Sequence, residues 1–183
     1  MKMTTERILR ERAERLARRP QEPARNDELE VVAFQLAQEP YAVETRFVRE
    51  VVALKDLAPV PCTPPFVLGV INVRGEILPV FDLKRLFGMP ARGLTNATRA
   101  VILRDGANEF GIVADAVLGV RPLRAADIGP PPATLTGIHA GFLRGVTPEG
   151  LVVIDAAGVL KHPAMVVNEE VPERGTDVKA YRP

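Results

Sequence analysis

The sequence predicts an all-β chain: two five-stranded β-barrels packed together, with an N-terminal helical extension. Three observations lead there. From residue 31 onward, apolar residues fall into short runs of strand length rather than at helical spacing. Pro- and Gly-rich breaks separate those runs. The order of the runs then recurs at a near-constant offset. Tyr41 to Phe110, Val43 to Ile112 and Val48 to Val117 are each 69 positions apart, Arg74 to Arg144 is 70 and Asp82 to Asp155 is 73. Such a repeat marks a duplicated β-unit of about 70 residues, a length that suits a small closed or partly open barrel. One such unit alone would bury little core, so the two are expected to share apolar surface.

The elements follow in chain order. Residues 4–19 read as a helix, with Leu9, Ala13, Leu16 and Ala17 on one face. Glu6–Arg10, Glu11–Arg15 and Glu14–Arg18 are acid-first i,i+4 pairs. Thr4 or Thr5 can cap the start, and Pro20 and Pro23 stop the helix. Residues 2–19 hold seven Lys/Arg against three Glu, net +4, leaving 17 basic against 20 acidic residues, net −3, elsewhere. With the polar stretch 20–28, residues 1–28 form an N-terminal helix and linker. The stripe Leu9, Ala13, Leu16 is either packed on the protein's own surface or a docking helix for a partner or second copy.

Residues 29–162 form the β domain. Val31 to Leu36 begins a strand, and Tyr41–Val43 returns across Gln38-Glu-Pro40. Phe47, Val48, Val51 and Val52 make a third apolar segment. Pro59, Pro61, Pro64 and Pro65 mark a loop. Leu68–Val73 and Ile77–Phe81 flank the corner Arg74-Gly75-Glu76. Asp82 can cap a short helix ending near Gly88. Ala100–Leu103 and Phe110–Val113 pair across Asp105-Gly106, and Val117–Val120 follows. After the Pro-rich stretch 129–132, Gly141–Arg144 and Leu151–Ile154 pair across Pro148-Glu-Gly150, and Asp155 opens another short helix. Residues 163–183 are polar and without periodicity, and are expected to be a flexible tail.

Composition narrows the function. A net charge of +1 over 183 residues gives no field for nucleic acid, and the chain has no Trp and only 2 Tyr for base stacking. No apolar run of about 18 residues exists to insert in a membrane. The N-terminus has no signal-peptide core, so a cytoplasmic location is expected. No metal site is expected, since there is no His-x-x-x-His or Cys-x-x-Cys spacing, and no cofactor, since there is no Gly-rich phosphate cradle. Cys62 with His139 or His162 is the sole nucleophile arrangement conceivable; no spacing supports it, so no catalytic residue is assigned.

Charged and polar residues isolated among apolar strands stand out. Arg74 lies at a hairpin corner, and arginine is enriched at protein-interface hot spots. Asn72, two positions earlier, shares its face on an extended strand. Gly75 suits a tight corner. Glu50 is a second isolated charge, after Phe47-Val48-Arg49. An echo of the corner, Gly141-Phe-Leu-Arg-Gly145, lacks the asparagine, which suggests that the two repeats do different work.

Residues 30–160 resemble the CheW family, the adaptors that couple chemoreceptors to the histidine kinase CheA. The matching segments are Tyr41-Ala-Val43, Val48-Arg-Glu50-Val51, Phe66-Val-Leu-Gly-Val70 and above all Ile71-Asn-Val-Arg-Gly75 followed by Ile77-Leu-Pro-Val-Phe-Asp82-Leu. Phe110-Gly-Ile-Val113 with Asp115 and the segment Gly141–Ile154 add to them. The resemblance implies SH3-like barrels and no catalysis. It implies two partners: the CheW-like regulatory domain of a CheA-type kinase, and the cytoplasmic tip of a chemoreceptor. It places partner binding at Val48, Glu50, Gly69 and Arg74, with Asn72 as the motif's other polar member. The pathway served is flagellar chemotaxis or a gliding, pilus or developmental system.

Overall fold

A computed structural model describes residues 27–89, 98–106, 108–131 and 141–165. The expected N-terminal helix, with Leu9, Ala13 and Leu16, and residues 166–183 of the expected tail lie outside the described residues. The strands are β1 (Glu28–Leu36), β2 (Glu39–Glu44), β3 (Val48–Ala53), β4 (Val67–Val73), β5 (Glu76–Phe81), β6 (Arg99–Asp105), β7 (Asn108–Ala114), β8 (Ala116–Arg124), β9 (Leu143–Val146) and β10 (Val152–Ile154). Short helices follow the β4–β5 and β9–β10 hairpins: α1 (Leu83–Leu86) after β5 and α2 (Ala156–Lys161) after β10. Each is capped as expected by the carboxylate that ends the preceding strand. Asp82 accepts from Lys84 N at 2.9 Å and Asp155 from Gly158 N at 3.1 Å. A 3-10 turn at Pro163–Met165, with Met165 buried, follows α2 in the first three residues of the expected tail.

The strands form two five-stranded sheets, in the orders β8-β1-β2-β10-β9 and β3-β6-β7-β5-β4. Shifting the first order by half the chain gives the second, position by position. The repeat therefore holds at the level of hydrogen-bonded neighbours. Its arrangement differs from one sheet per half, because each sheet takes strands from both halves. β1 and β2 join β8, β9 and β10, while β6 and β7 join β3, β4 and β5. In each sheet the halves join through one antiparallel pair, β1–β8 or β3–β6, and one parallel pair. Val80 faces Gly111 on β5–β7 as Val153 faces Ala42 on β10–β2.

This exchange places the main core between the sheets. Strand alternation sends Val32, Phe34 and Leu36 of β1 to that shared core and Val31 to the far face of its sheet. On the other sheet Ile112 enters the shared core and Val113 the far face. Phe81 and Phe110 meet edge-on in the shared core, ring centres 5.0 Å apart.

The echo Gly141-Phe-Leu-Arg-Gly145 is not a second arginine corner. Gly69 pairs Val80 and Gly145 pairs Val153, so Gly145 is the counterpart of Gly69 and not of Gly75. Arg144 lies within β9, at the extra residue of a bulge whose first-half equivalent is Leu68. The actual corner of that hairpin is Thr147–Gly150, where Thr147 N donates to Leu151 O at 3.0 Å and Gly150 N to Thr147 O at 2.9 Å. The letter match failed because the offset between the halves is not constant: it is 69 residues from Ala42 to Gly111 but 76 from Gly69 to Gly145. Arg144 instead pairs with Glu44, a buried carboxylate that Arg46 Nε also approaches at 2.8 Å.

One buried ion pair ties the two sheets together. The Lys84 side chain on α1 is 1% exposed, and its ammonium donates to Asp115 between β7 and β8. The other oxygen of Asp115 accepts from Ala37 N at 2.7 Å, in the β1–β2 turn where Ala37 has φ 58°. Asp115 N in turn donates to Gln35 O at 2.9 Å. Removing one partner of such a pair leaves an uncompensated charge. Asp115→Ala is expected to cost about 3–5 kcal/mol, because the ammonium left behind is fully buried. Lys84→Met should cost less, since Asp115 is 25% exposed and keeps the Ala37 N–H. Urea unfolding of the two variants checks that order.

Candidate functional site

The site begins with the β4–β5 turn. Val73 pairs with Glu76, which leaves Arg74 and Gly75 as a two-residue turn. Their φ values are 54° and 94°, both left-handed. Such turns match the twist of the flanking strands, but they favour Asn-Gly at the two central positions. Glycine takes this conformation freely. An arginine there is strained, at a cost on the order of 1 kcal/mol. Asn72 compensates: its Oδ1 accepts from Gly75 N at 2.7 Å. Asn72 therefore holds the turn on which Arg74 stands.

From that turn Arg74 Nη2 donates to Glu50 Oε2 at 3.1 Å. Glu50 lies on β3, one edge of its sheet, while Arg74 follows β4, the opposite edge. The sheet thus curls until its edges are bridged by a side-chain pair. The two partners are unequally placed, Arg74 being 75% exposed and Glu50 19%.

Behind them lies a charge network that the sequence reading did not single out. Val48 pairs with Leu103 and Glu50 with Ile102, so Arg49 is the extra residue of a bulge. Arg49 Nη1 donates to Glu109 at 2.5 Å and also to Glu76, and its Nε lies 3.6 Å from Glu50 Oε1. Arg104 Nε is 3.9 Å from the other oxygen of Glu109. Hydrogen bonds donated to Glu76 and then Glu109 push the Arg49 guanidinium above its ordinary range. The same bond holds the Glu76 carboxyl below the usual carboxylate range, with the Arg49 charge adding to it. Part of this was legible: Arg104 and Glu109 face each other across the Asp105-Gly106 turn. The bulge that turns Arg49 toward Glu50 was not.

Val48 and Gly69 do different work. Val48 is half-buried against the shared core. Gly69 has φ 145°, and a Cβ there would lie 2.2 Å from Ala58 O. The missing side chain lets residues 58–59 cross β4, with Ala58 N to Val70 O at 2.9 Å and Val70 N to Ala58 O at 2.8 Å. The other sheet repeats this at Gly145, where a Cβ would meet Gly129 O at 1.9 Å. Cys62 is exposed in the same Pro-rich loop. His162 stacks edge-on against Phe142 at 4.6 Å and accepts from Ala164 N. His139 lies outside the described residues.

At the equivalent place on the second sheet, the pair between β8 and the β9–β10 turn is Arg121 Nη1 to Glu149 Oε2 at 3.8 Å. The β8 bulge falls at Leu118, followed by Gly119 and Val120, with Leu118 56% and Val120 63% exposed. The bulge positions that carry Arg49 and Glu50 on one sheet are therefore occupied by Leu118 and Gly119 on the other. Among the described residues, no helix is long and apolar enough to cross a membrane.

Three outcomes follow from this geometry. Asn72→Ala should cost about 1 kcal/mol by leaving the strained turn without its side-chain acceptor. Gly69→Ala should cost roughly 3 kcal/mol or more through backbone strain and the clash with Ala58; urea unfolding measures both. The lowered Glu76 carboxyl gives stability that is complete above its unfolded pKa of about 4.3 and lost as pH falls through the lower folded value. Unfolding curves between pH 7 and pH 2.5 should therefore lose part of their acid sensitivity in Arg49→Gln.

Comparison with known proteins agrees with this architecture. The chain is 34% identical over 138 residues to the Chemotaxis protein CheW of Treponema pallidum (strain Nichols), covering 71% of this chain and 81% of that protein. It is 39% identical over 105 residues to Protein FrzA of Myxococcus xanthus, covering 57% and 66% respectively. The crystal structure of the scaffolding protein TtCheW from Thermoanaerobacter tengcongensis superposes with a TM-score of 0.63 at 36% identity, covering 69% of this chain and 88% of that one. The sequence pattern of the CheW-like domain matches residues 30–164 of the 183. The chain belongs to the CheW-like domain family.

Proposed function

We propose that the chain is a non-catalytic, cytoplasmic adaptor of a chemosensory assembly. It joins a CheA-type histidine kinase, through that kinase's CheW-like regulatory domain, to the cytoplasmic tip of a chemoreceptor. The domain spans residues 29–162, its two sheets closing as SH3-like barrels, with 1–28 and 163–183 as flanking segments. Linking two partners through one chain raises the effective concentration of each for the other, so individually modest contacts can hold an array. No step of this role depends on a flagellar output, and a gliding, pilus or developmental pathway would use it equally.

The observation that carries this reading is Arg74. The turn would be less strained with asparagine or glycine in its place. The chain keeps instead a long cation in a left-handed conformation, three-quarters exposed, fixed by Asn72 and backed by Glu50. Local rules are broken in this way at functional positions. Glu50 and Arg74 supply charge complementarity toward a partner, with Asn72 shaping the turn. Val48 and Gly69 complete the partner-binding set.

Stability and coupling should separate at Arg74. Arg74→Gly relieves the strained φ and gives up one exposed ion pair, so its stability is expected within about 1 kcal/mol of wild type. Arg74→Glu places two acids together at the same tip. Both variants should fold normally and lose receptor-dependent activation of the kinase. Pull-downs with a CheA regulatory domain and receptor tips, with kinase assays alongside, test this. Full coupling by both variants would refute the assignment.

A further inference from the structure

We infer that Arg49 is a positioning residue, which holds Glu50 in place while Arg74 leaves it to engage a partner's carboxylate. The inference rests on the proposed reading of Arg74 as partner-facing. The two acceptor oxygens of Glu50 are divided between two arginines. Oε2 receives Arg74 at 3.1 Å, and Oε1 faces Arg49 at 3.6 Å. The second distance is an ion pair without a hydrogen bond, and it can shorten once Arg74 has gone.

Exposure decides which member moves. Arg74 is 75% exposed on a hairpin tip, whereas Glu50 and Arg49 are 19% and 22% exposed. If Glu50 depended on Arg74 alone, withdrawal of that arginine would strand a largely buried carboxylate, and the cost would be subtracted from the affinity for any partner. Arg49 removes that cost because it does not move. Its Nη1 is anchored from two directions, by Glu109 at 2.5 Å on β7 and by Glu76 on β5. The bulge at Arg49 directs its guanidinium along the sheet surface toward all three carboxylates. The counterpart bulge residue on the other sheet is Leu118, which cannot do this. The exchange is thus confined to the edge that carries Arg74.

The test uses the full chain with a CheA-type kinase and receptor cytoplasmic fragments, reading both the chain's affinity and receptor-dependent kinase activity. Arg49→Gln should weaken binding by about tenfold, a coupling typical of neighbouring charged residues. In a Glu50→Gln background the same substitution should cost less than about twofold, because a neutral amide needs no counter-charge. A merely structural role for Arg49 would cost the same in both backgrounds, and that result overturns the inference. So does unchanged affinity in Arg49→Gln where Arg74→Glu abolishes binding. If Arg74→Glu binds as wild type, the partner-facing reading of Arg74 itself falls. Urea unfolding sets all variants at a matched folded fraction, so lost folding is not read as lost binding.

Discussion

Everything in this molecule depends on the exchange of strands between its two halves. Each sheet contains two strands from the other half of the repeat, held by the parallel pairs β5–β7 and β2–β10 and the antiparallel pairs β3–β6 and β1–β8. Neither half can finish its sheet alone. The largest apolar cluster therefore lies between the sheets, and each sheet keeps a smaller one on its far face. That arrangement answers the problem a unit of about 70 residues faces, which is too little buried surface for independent stability. The Lys84–Asp115 pair sits at the same crossing. It joins a helix of one sheet to a turn of the other with every acceptor on the carboxylate used.

Duplication of the scaffold did not duplicate its surface. Both sheets contain the same bulges, the same glycine crossings at Gly69 and Gly145, and the same capping aspartates. These are requirements of the backbone and recur wherever the backbone recurs. The exposed positions are free of that constraint, and there the halves diverge. Arg49-Glu50 on one edge strand corresponds to Leu118-Gly119 on the other. A fold with internal pseudo-symmetry thereby acquires two unlike edges.

Much of this was legible before any coordinates. The strands, the two turn signals at Arg74-Gly75 and Asp105-Gly106, and the caps Asp82 and Asp155 were all readable from residue type and spacing. The grouping of Glu50 with Arg74 on one sheet only also stands. Equating Arg144 with Arg74 is an error of alignment, because the offset between the halves grows from 69 to 76 residues before β9. Asn72 was placed correctly beside Arg74, but its partner is the Gly75 N–H, a contact set by the turn type. Arg49 was passed over because strand alternation assigns it and Glu50 to opposite faces, and only the bulge brings them together.

The sequence by itself determined which segments are strands, where they turn, which face of each is apolar, and that the pattern occurs twice. All of these depend on interactions among residues a few positions apart, which a period-2 pattern and turn chemistry record directly. Tertiary structure alone decided which strands become neighbours, where a ladder skips a residue, and so which charges meet. Alternation specifies a strand's buried face but not its partner. That choice is made by covering apolar surface contributed from both halves of the chain, and no local pattern encodes it.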